Sequence, residues 1–275
     1  MKAASVADVL DKVIDVLRHE PAGVLADFDG TLSPIAPVPE AAILHPALVD
    51  VLPLLKDQLN LLAVITGRAA SDAQAKVGVV DMLYVGNHGL EWLEGGDYEA
   101  HPAGVEAQQG IVSALTEIEA DLRNAGVDVG GFVFENKRLS ASIHYRVAAD
   151  PERVEAILPG ITAARAAEHG LQMTTGKMMV ELRPTSTISK GSALVEIASR
   201  RGLKGVVFLG DDITDVDAFR SLRRMREDGT IASGLAIGVL SEEVKQPIVD
   251  ESDILLEGVD AVAELLVALS AHLTR

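Results

Sequence analysis

The chain has 275 residues, 48% of them hydrophobic, and carries 24 basic against 41 acidic side chains, a formal charge of −17. A chain of this size can build a large core over one or two domains, and its charge makes it a poor partner for nucleic acid or an anionic membrane. It has no cysteine, which excludes disulfides and thiolate metal sites.

Residues 1–20 place Val6, Val9, Leu10, Val13, Val16 and Leu17 at helical spacing, interrupted by Asp8, Asp11, Lys12 and Asp15. The spacing predicts an amphipathic helix and not a signal peptide. No apolar run approaches membrane-spanning length, so a soluble cytoplasmic protein is expected.

Val24-Leu25-Ala26 then reads as a short strand buried on both faces, and it runs into Asp27-Phe28-Asp29-Gly30-Thr31. Asp27 and Asp29 are two residues apart, so an extended backbone aims both to one side. Two carboxylates about 4 Å apart repel by about 4 kcal/mol at an effective dielectric of 20. A cation between them or a retained proton relieves that repulsion, and either points to chemistry. Taken alone, a D-x-D before Gly-Thr is more often a capping or Asx-turn loop.

The arrangement recurs along the chain. Leu61 to Ile65 runs into Thr66-Gly67-Arg68, 82–85 into Gly86-Asn87-His88-Gly89, and Gly205 to Leu209 into Gly210-Asp211-Asp212, with later apolar runs at 234–239 and 253–256. Helical patterns at 46–57, 69–77, 189–201, 214–226 and 258–273 separate most of them. Such alternation predicts an α/β fold with a doubly wound parallel sheet, whose ligand crevice lies at the carboxyl ends of the strands. The middle breaks the rhythm: helix at 105–125, strands at 131–135 and 140–146, helix at 151–169, strands at 171–174 and 178–183. We read 1–100 with 184–275 as a core domain and 101–183 as an inserted α+β cap.

Four strand-end clusters then need one explanation. Asp27 and Asp29 offer a nucleophile and an acid/base. Thr66, with the amides of Gly67 and Arg68 opening a helix, suits a phosphate oxygen. Lys190, in Ser189-Lys190-Gly191, offers a point charge for phosphate or for the attacking carboxylate. Asp211 and Asp212 offer hard oxygen ligands for Mg²⁺. Each has a plainer reading: Thr66 as a helix cap, Lys190 as a solvated helix start, and Asp215 as part of an acidic first turn. Asp217 is given to solvent.

These motifs resemble those of the haloacid dehalogenase superfamily of phosphatases: Asp27 to Leu32 the first, Thr66 to Arg68 the second, Lys190 the third and Gly210-Asp211-Asp212 the fourth. Gly86 to Glu91, Glu135-Asn136-Lys137, His144-Tyr145-Arg146, Gly176-Lys177, Glu181 to Pro184 and Gly210 to Asp215 are further similar to trehalose-6-phosphate phosphatases, a resemblance spanning about 22–270. Val216 stands where family members usually carry an acid. The resemblance implies a Rossmann-like core, Mg²⁺ held by Asp27, the backbone carbonyl of Asp29 and Asp211, and Asp212 as a water-mediated ligand. It implies an aspartyl-phosphate on Asp27 and acid/base work by Asp29. Gly67, Arg68, His88, Glu135, Lys137, Arg146, Lys177 and Glu181 would bind substrate, all but the first three in the cap. A sugar phosphate is the implied substrate, with a functional link to a trehalose-6-phosphate synthase. Sucrose 6-phosphate and glycosyl-3-phosphoglycerate phosphatases, and a catalytically silent sugar-phosphate sensor, are the competing readings. Without the resemblance, the cap charges read as cross-strand salt bridges on a solvated face. Trp92 and Met178-Met179 read as packing.

Overall fold

The computed structural model describes residues 3–176, 178–241 and 246–274. These fall into two compact units, one of 1–35, 42–98 and 188–275, the other of 36–41 and 99–187. The short segment 36–41, expected in the core, groups with the smaller unit.

The larger unit is built on one eight-stranded sheet. Its strands are β1 (Ala22–Ala26), β2 (Leu61–Ile65), β3 (Leu83–Gly86), β4 (Glu91–Glu94), β5 (Asp97–Ala100), β10 (Gly205–Gly210), β11 (Ser233–Leu240) and β12 (Ile254–Glu257), in the order β12-β11-β10-β1-β2-β3-β4-β5. All neighbours from β12 to β3 pair in parallel, and β4 turns back antiparallel on β3. β1 and β2 are buried along their whole length, as their unbroken apolar runs require.

Leu25, Ala63, Ile65, Val206 and Phe208 face a core shared with α6 (Lys190–Arg201) and α7 (Ile213–Glu227), including Leu194, Ile197, Phe219 and Leu222. Val216, 3% exposed, belongs to this core, so an acid at that position would be buried among hydrocarbon. α1 (Val6–Leu17), α2 (Val51–Gln58) and α9 (Gly258–Leu273) pack together, and α3 (Ala70–Val77) packs on β3.

Three elements depart from the sequence reading. The helix expected over 46–57 begins as a single 3-10 turn at Pro46–Leu48, and α2 starts only at Val51. The β4–β5 hairpin was not expected, although Gly95-Gly96, with φ of 57° and 93°, carries the backbone signature of a two-residue hairpin turn. The six-residue α8 (Gln246–Glu251) is too short for its periodicity to register.

The smaller unit holds α4 (Pro102–Asn124), β6 (Val133–Asn136), β7 (Ala141–His144), α5 (Pro151–Glu168), β8 (Leu171–Gly176) and β9 (Met179–Pro184). Its four strands run antiparallel in the order β6-β7-β9-β8. Ala141, Ile143, Val180 and Leu182 pack with Ile111, Ala114, Ile118, Leu122, Val154 and Leu158 of the two helices. Strand alternation therefore turns Ser142, His144 and Glu181 to the other face.

Candidate active site

β1 lies between β2 and β10, where the order of strand addition reverses, so the residues after these three strands converge at a switch point. They are Asp27, Thr66 and Asp211. The Asp27 amide extends the ladder by donating to the Leu209 carbonyl (2.9 Å), and its carboxylate is 5% exposed at the residue level. Asp27, Asp211 and Asp215 each offer an oxygen within 4.8 Å of the others, and all three are buried. Oδ1 of Asp211 is buried with no hydrogen-bond partner. Gly30, at φ 77°, leaves room for that side chain: a Cβ there would lie 2.2 Å from Asp211 Oδ2.

Among the described residues a lysine pairs with two of these carboxylates. Lys190, 2% exposed at the first position of α6, sits 2.9 Å from Asp27 Oδ1 and 2.7 Å from Asp215 Oδ1. Burial opposes its charge, but Asp215 and Asp27 outweigh burial and hold its pKa above the ordinary lysine value. Burial pushes the Asp27 carboxyl up to about 7 against the pull of Lys190, with the charges of Asp215 and Asp29 adding to the rise. Burial, then the charges of Asp27, Asp215 and Asp212, push Asp211 well above the carboxylate range. With one ammonium among three carboxylates, this pocket of hard oxygens fits a small divalent cation.

Asp215, read from the sequence as part of an acidic first turn, does more. Its Oδ2 accepts from the amides of Asp211 (3.1 Å) and Asp212 (3.0 Å), fixing the loop that carries Asp211, while Oδ1 binds Lys190. Asp212, the expected water-mediated metal ligand, is the N-cap of α7 and stands outside the buried trio. Its carboxylate accepts from Ile213 N at 2.6 Å, the lowest-cost use of an aspartate at a helix start. Asp217 is exposed.

Asp29 does not share the pocket of Asp27. Its carboxylate, 39% exposed, lies in the guanidinium fork of Arg68 (Nε to Oδ2 2.7 Å, Nη2 to Oδ1 2.8 Å). Arg68, expected to touch substrate, is held between Asp29 and Asp72, with its guanidinium 5.3 Å from the Phe28 ring centre. Burial opposes the charge on Arg68, and its bonds to Asp29 and Asp72 more than restore it.

Thr66 is 1% exposed, and its hydroxyl accepts from the Arg68 amide (3.2 Å), so that amide is not free for a phosphate oxygen as expected. The α3 N-terminus is capped from elsewhere: Glu91 of β4, 3% exposed, accepts from Ala70 N (2.7 Å), Asn87 Nδ2 (2.8 Å) and Tyr98 Oη (2.8 Å). This hub ties the phosphate-side loop to the turn carrying His88. Asn87 and His88 adopt left-handed φ of 49° and 59°, and the His88 ring lies against Gly67, where a Cβ would be 2.6 Å away. A side chain at Gly67 would therefore displace the His88 ring. Trp92 packs on the core and under the Arg200 guanidinium (4.7 Å).

In the smaller unit, Glu135, Ser142, Glu181 and Thr174 lie in register across four strands. Lys137 Nζ, just past β6, reaches Glu181 (3.4 Å) and Glu135 (3.9 Å), and His144, given no role of its own in the sequence reading, stands 3.2 Å from Glu135. The side chains of Lys137 and Glu181 are 8% and 7% exposed, so the face is not the solvated ladder of the plainer reading. Ser142 Oγ, between the two glutamates, is buried without a hydrogen-bond partner. Arg146 is half-buried on the turn after β7. Lys177 lies outside the described residues.

Residues 25–253 match the trehalose-phosphatase family model. The chain belongs to this family. Among similar proteins are an uncharacterized glycosyl hydrolase of Mycobacterium tuberculosis, 37% identical over 73% of this chain and 15% of that one, and a trehalose-phosphate phosphatase of Mycobacterium marinum, 36% identical over 80% and 54%. The chain thus spans about half the length of the M. marinum phosphatase and a smaller share of the glycosyl hydrolase. The C-terminal domain of Candida albicans trehalose-6-phosphate phosphatase superposes with a TM-score of 0.78 over 98% of this chain and 97% of that one at 20% identity, which shows a common fold. Among the described residues no helix is long and apolar enough to cross a membrane.

Proposed function

We propose that this member of the trehalose-phosphatase family hydrolyses trehalose 6-phosphate to trehalose and phosphate through an aspartyl-phosphate on Asp27. The observation that carries the reading is Asp27 itself, buried at the switch point against Lys190 and beside the unpartnered oxygen of Asp211. A buried carboxylate at a strand end, crowded by other buried carboxylates, is arranged for reaction and not for packing.

An oxygen of Asp27 attacks phosphorus, and the bond from phosphorus to the sugar oxygen breaks as Asp29 gives that oxygen its proton. Water then attacks phosphorus, Asp29 takes the proton back, and the Asp27–phosphorus bond breaks to release phosphate. Lys190 offsets charge on Asp27 and the phosphoryl oxygens, and Thr66 lines the phosphate side. Asp27, Asp211 and the backbone carbonyl of Asp29 would hold Mg²⁺, which the buried carboxylate oxygens fit. Bound there, it would supply charge neutralisation for the phosphoryl group. Glu135, Lys137, Arg146, Lys177 and Glu181 would read the distal sugar, whose hydroxyls need such alternating donors and acceptors. Substrate then comes from a glycosyl transfer that builds a phosphorylated disaccharide, which is the link to a synthase.

The test is phosphate release from trehalose 6-phosphate, sucrose 6-phosphate, glucose 6-phosphate and glucosyl-3-phosphoglycerate, each with and without EDTA. Metal-dependent release concentrated on trehalose 6-phosphate supports the reading. Release spread over all four removes the sugar assignment, and silence on all four favours a sensor.

A further inference from the structure

Asp29 has one partner for its carboxylate among the described residues, the fork of Arg68. A side chain 39% exposed and held on one side only would otherwise sample several rotamers. What orients the fork is therefore what orients the acid.

Three contacts of Arg68 bear on this fork. Asp29 takes Nε and Nη2, Phe28 offers a ring face, and Asp72 takes Nη1 at 2.7 Å. Asp72 lies four residues on, in the first turn of α3, with its carboxylate 42% exposed. It is itself set by Lys76, whose ammonium is 4.0 Å from its second oxygen and 3.2 Å from the Ala42 carbonyl. Charges thus alternate from Asp29 through Arg68 and Asp72 to Lys76, leading away from the phosphoryl pocket.

We propose that Asp72 is a positioning residue for the acid–base chemistry of Asp29, acting through Arg68. This rests on the phosphatase reading of the site. Removing the charge of Asp72 weakens the charge-assisted bond that holds Nη1 of a nearly buried guanidinium, which favours turning that group away from its present plane. The fork then leaves Asp29, since both Asp29 bonds depend on the same plane. Proton transfer to a departing alcohol is lost with a small misplacement, whereas a p-nitrophenolate leaves without a proton.

The test is Asp72→Asn, with trehalose 6-phosphate and p-nitrophenyl phosphate compared in single turnover. The expected result is about a ten-fold slower release of trehalose, within the range general acids contribute. KM should stay within about two-fold, and the first burst of p-nitrophenol should keep its wild-type rate. Arg68→Lys, which keeps the charge and loses the fork, should show the same leaving-group signature, and Asp72→Glu should recover part of the rate. Equal slowing of both esters, or a raised KM with unchanged turnover, would overturn the proposal. A wild type active on both esters with an Asp72→Asn variant indistinguishable from it defeats this inference alone. A wild type that hydrolyses no phosphate monoester defeats the phosphatase reading as well.

Discussion

Around Asp27, three buried carboxylates gather, two of them, Asp27 and Asp215, bound to the ammonium of Lys190. On the sheet face of the smaller unit, Lys137 stands between Glu135 and Glu181, and His144 lies against Glu135. The first region carries a surplus of negative charge in a dry place, and the carboxyl groups of Asp27 and Asp211 respond by holding protons at higher pH. The second distributes opposite charges across neighbouring strands. A surplus of this kind suits a cation and an electrophilic phosphorus; a lattice of alternating donors and acceptors suits hydroxyl groups. The difference teaches that burying charge is tolerable in two ways, by leaving a gap for a ligand or by closing the circuit within the protein.

The sharpest way to break this contrast is Asp27→Asn, which keeps shape and removes the nucleophile. Phosphate release should fall by at least about a thousand-fold, and the variant should remain folded because a neutral group suits the buried position. A residual rate near wild type would assign the chemistry elsewhere. Lys190→Met comes next: it strands Asp27 and Asp215 without their cation, and urea unfolding at pH 8 should show a loss of about 3 kcal/mol or more. A loss below about 1 kcal/mol would mean that the carboxylates are neutral already.

Glu181→Gln probes the other region with a smaller effect. KM for trehalose 6-phosphate should rise about ten-fold, or about 1.4 kcal/mol, while p-nitrophenyl phosphate hydrolysis stays unchanged. Equal effects on both substrates would remove the sugar-reading role.

A separate test of the contrast lies in the pH dependence of stability. Folded Asp27 binds its proton up to about pH 7 and the unfolded chain only near 3.8. The folded state therefore holds more protons between those limits, and stability without metal should fall as pH rises through that window. Added Mg²⁺ should flatten the fall in thermal melts; an unchanged slope would argue against a cation at this pocket.

Much of the strand-end region was legible because each part is local. An apolar run, a glycine and a carboxylate adjacent in sequence already mark a strand end, and this holds for Asp27 and for Asp211. Asp215 was harder, because a buried acid bridging Lys190 and two amides has the same sequence position as an ordinary first-turn acid. The fork between Arg68 and Asp29 joins residues 39 positions apart and has no local signal. Glu91 capping α3 from β4 is hidden for the same reason. On the smaller unit, strand alternation placed Glu135 and Lys137 on one side, but only sheet pairing brings Glu181, Ser142 and His144 beside them. Composition could not foresee that Lys137 and Glu181 of this charged face are buried.

The central claim is that Asp27 takes the phosphoryl group. Acid quench during turnover of substrate radiolabelled in its phosphate, followed by peptide mapping, tests it directly. The account predicts label on the peptide containing Asp27, lost on brief alkaline treatment and absent in Asp27→Asn. Active enzyme that releases phosphate with label on no peptide, or on a peptide without Asp27, would contradict it.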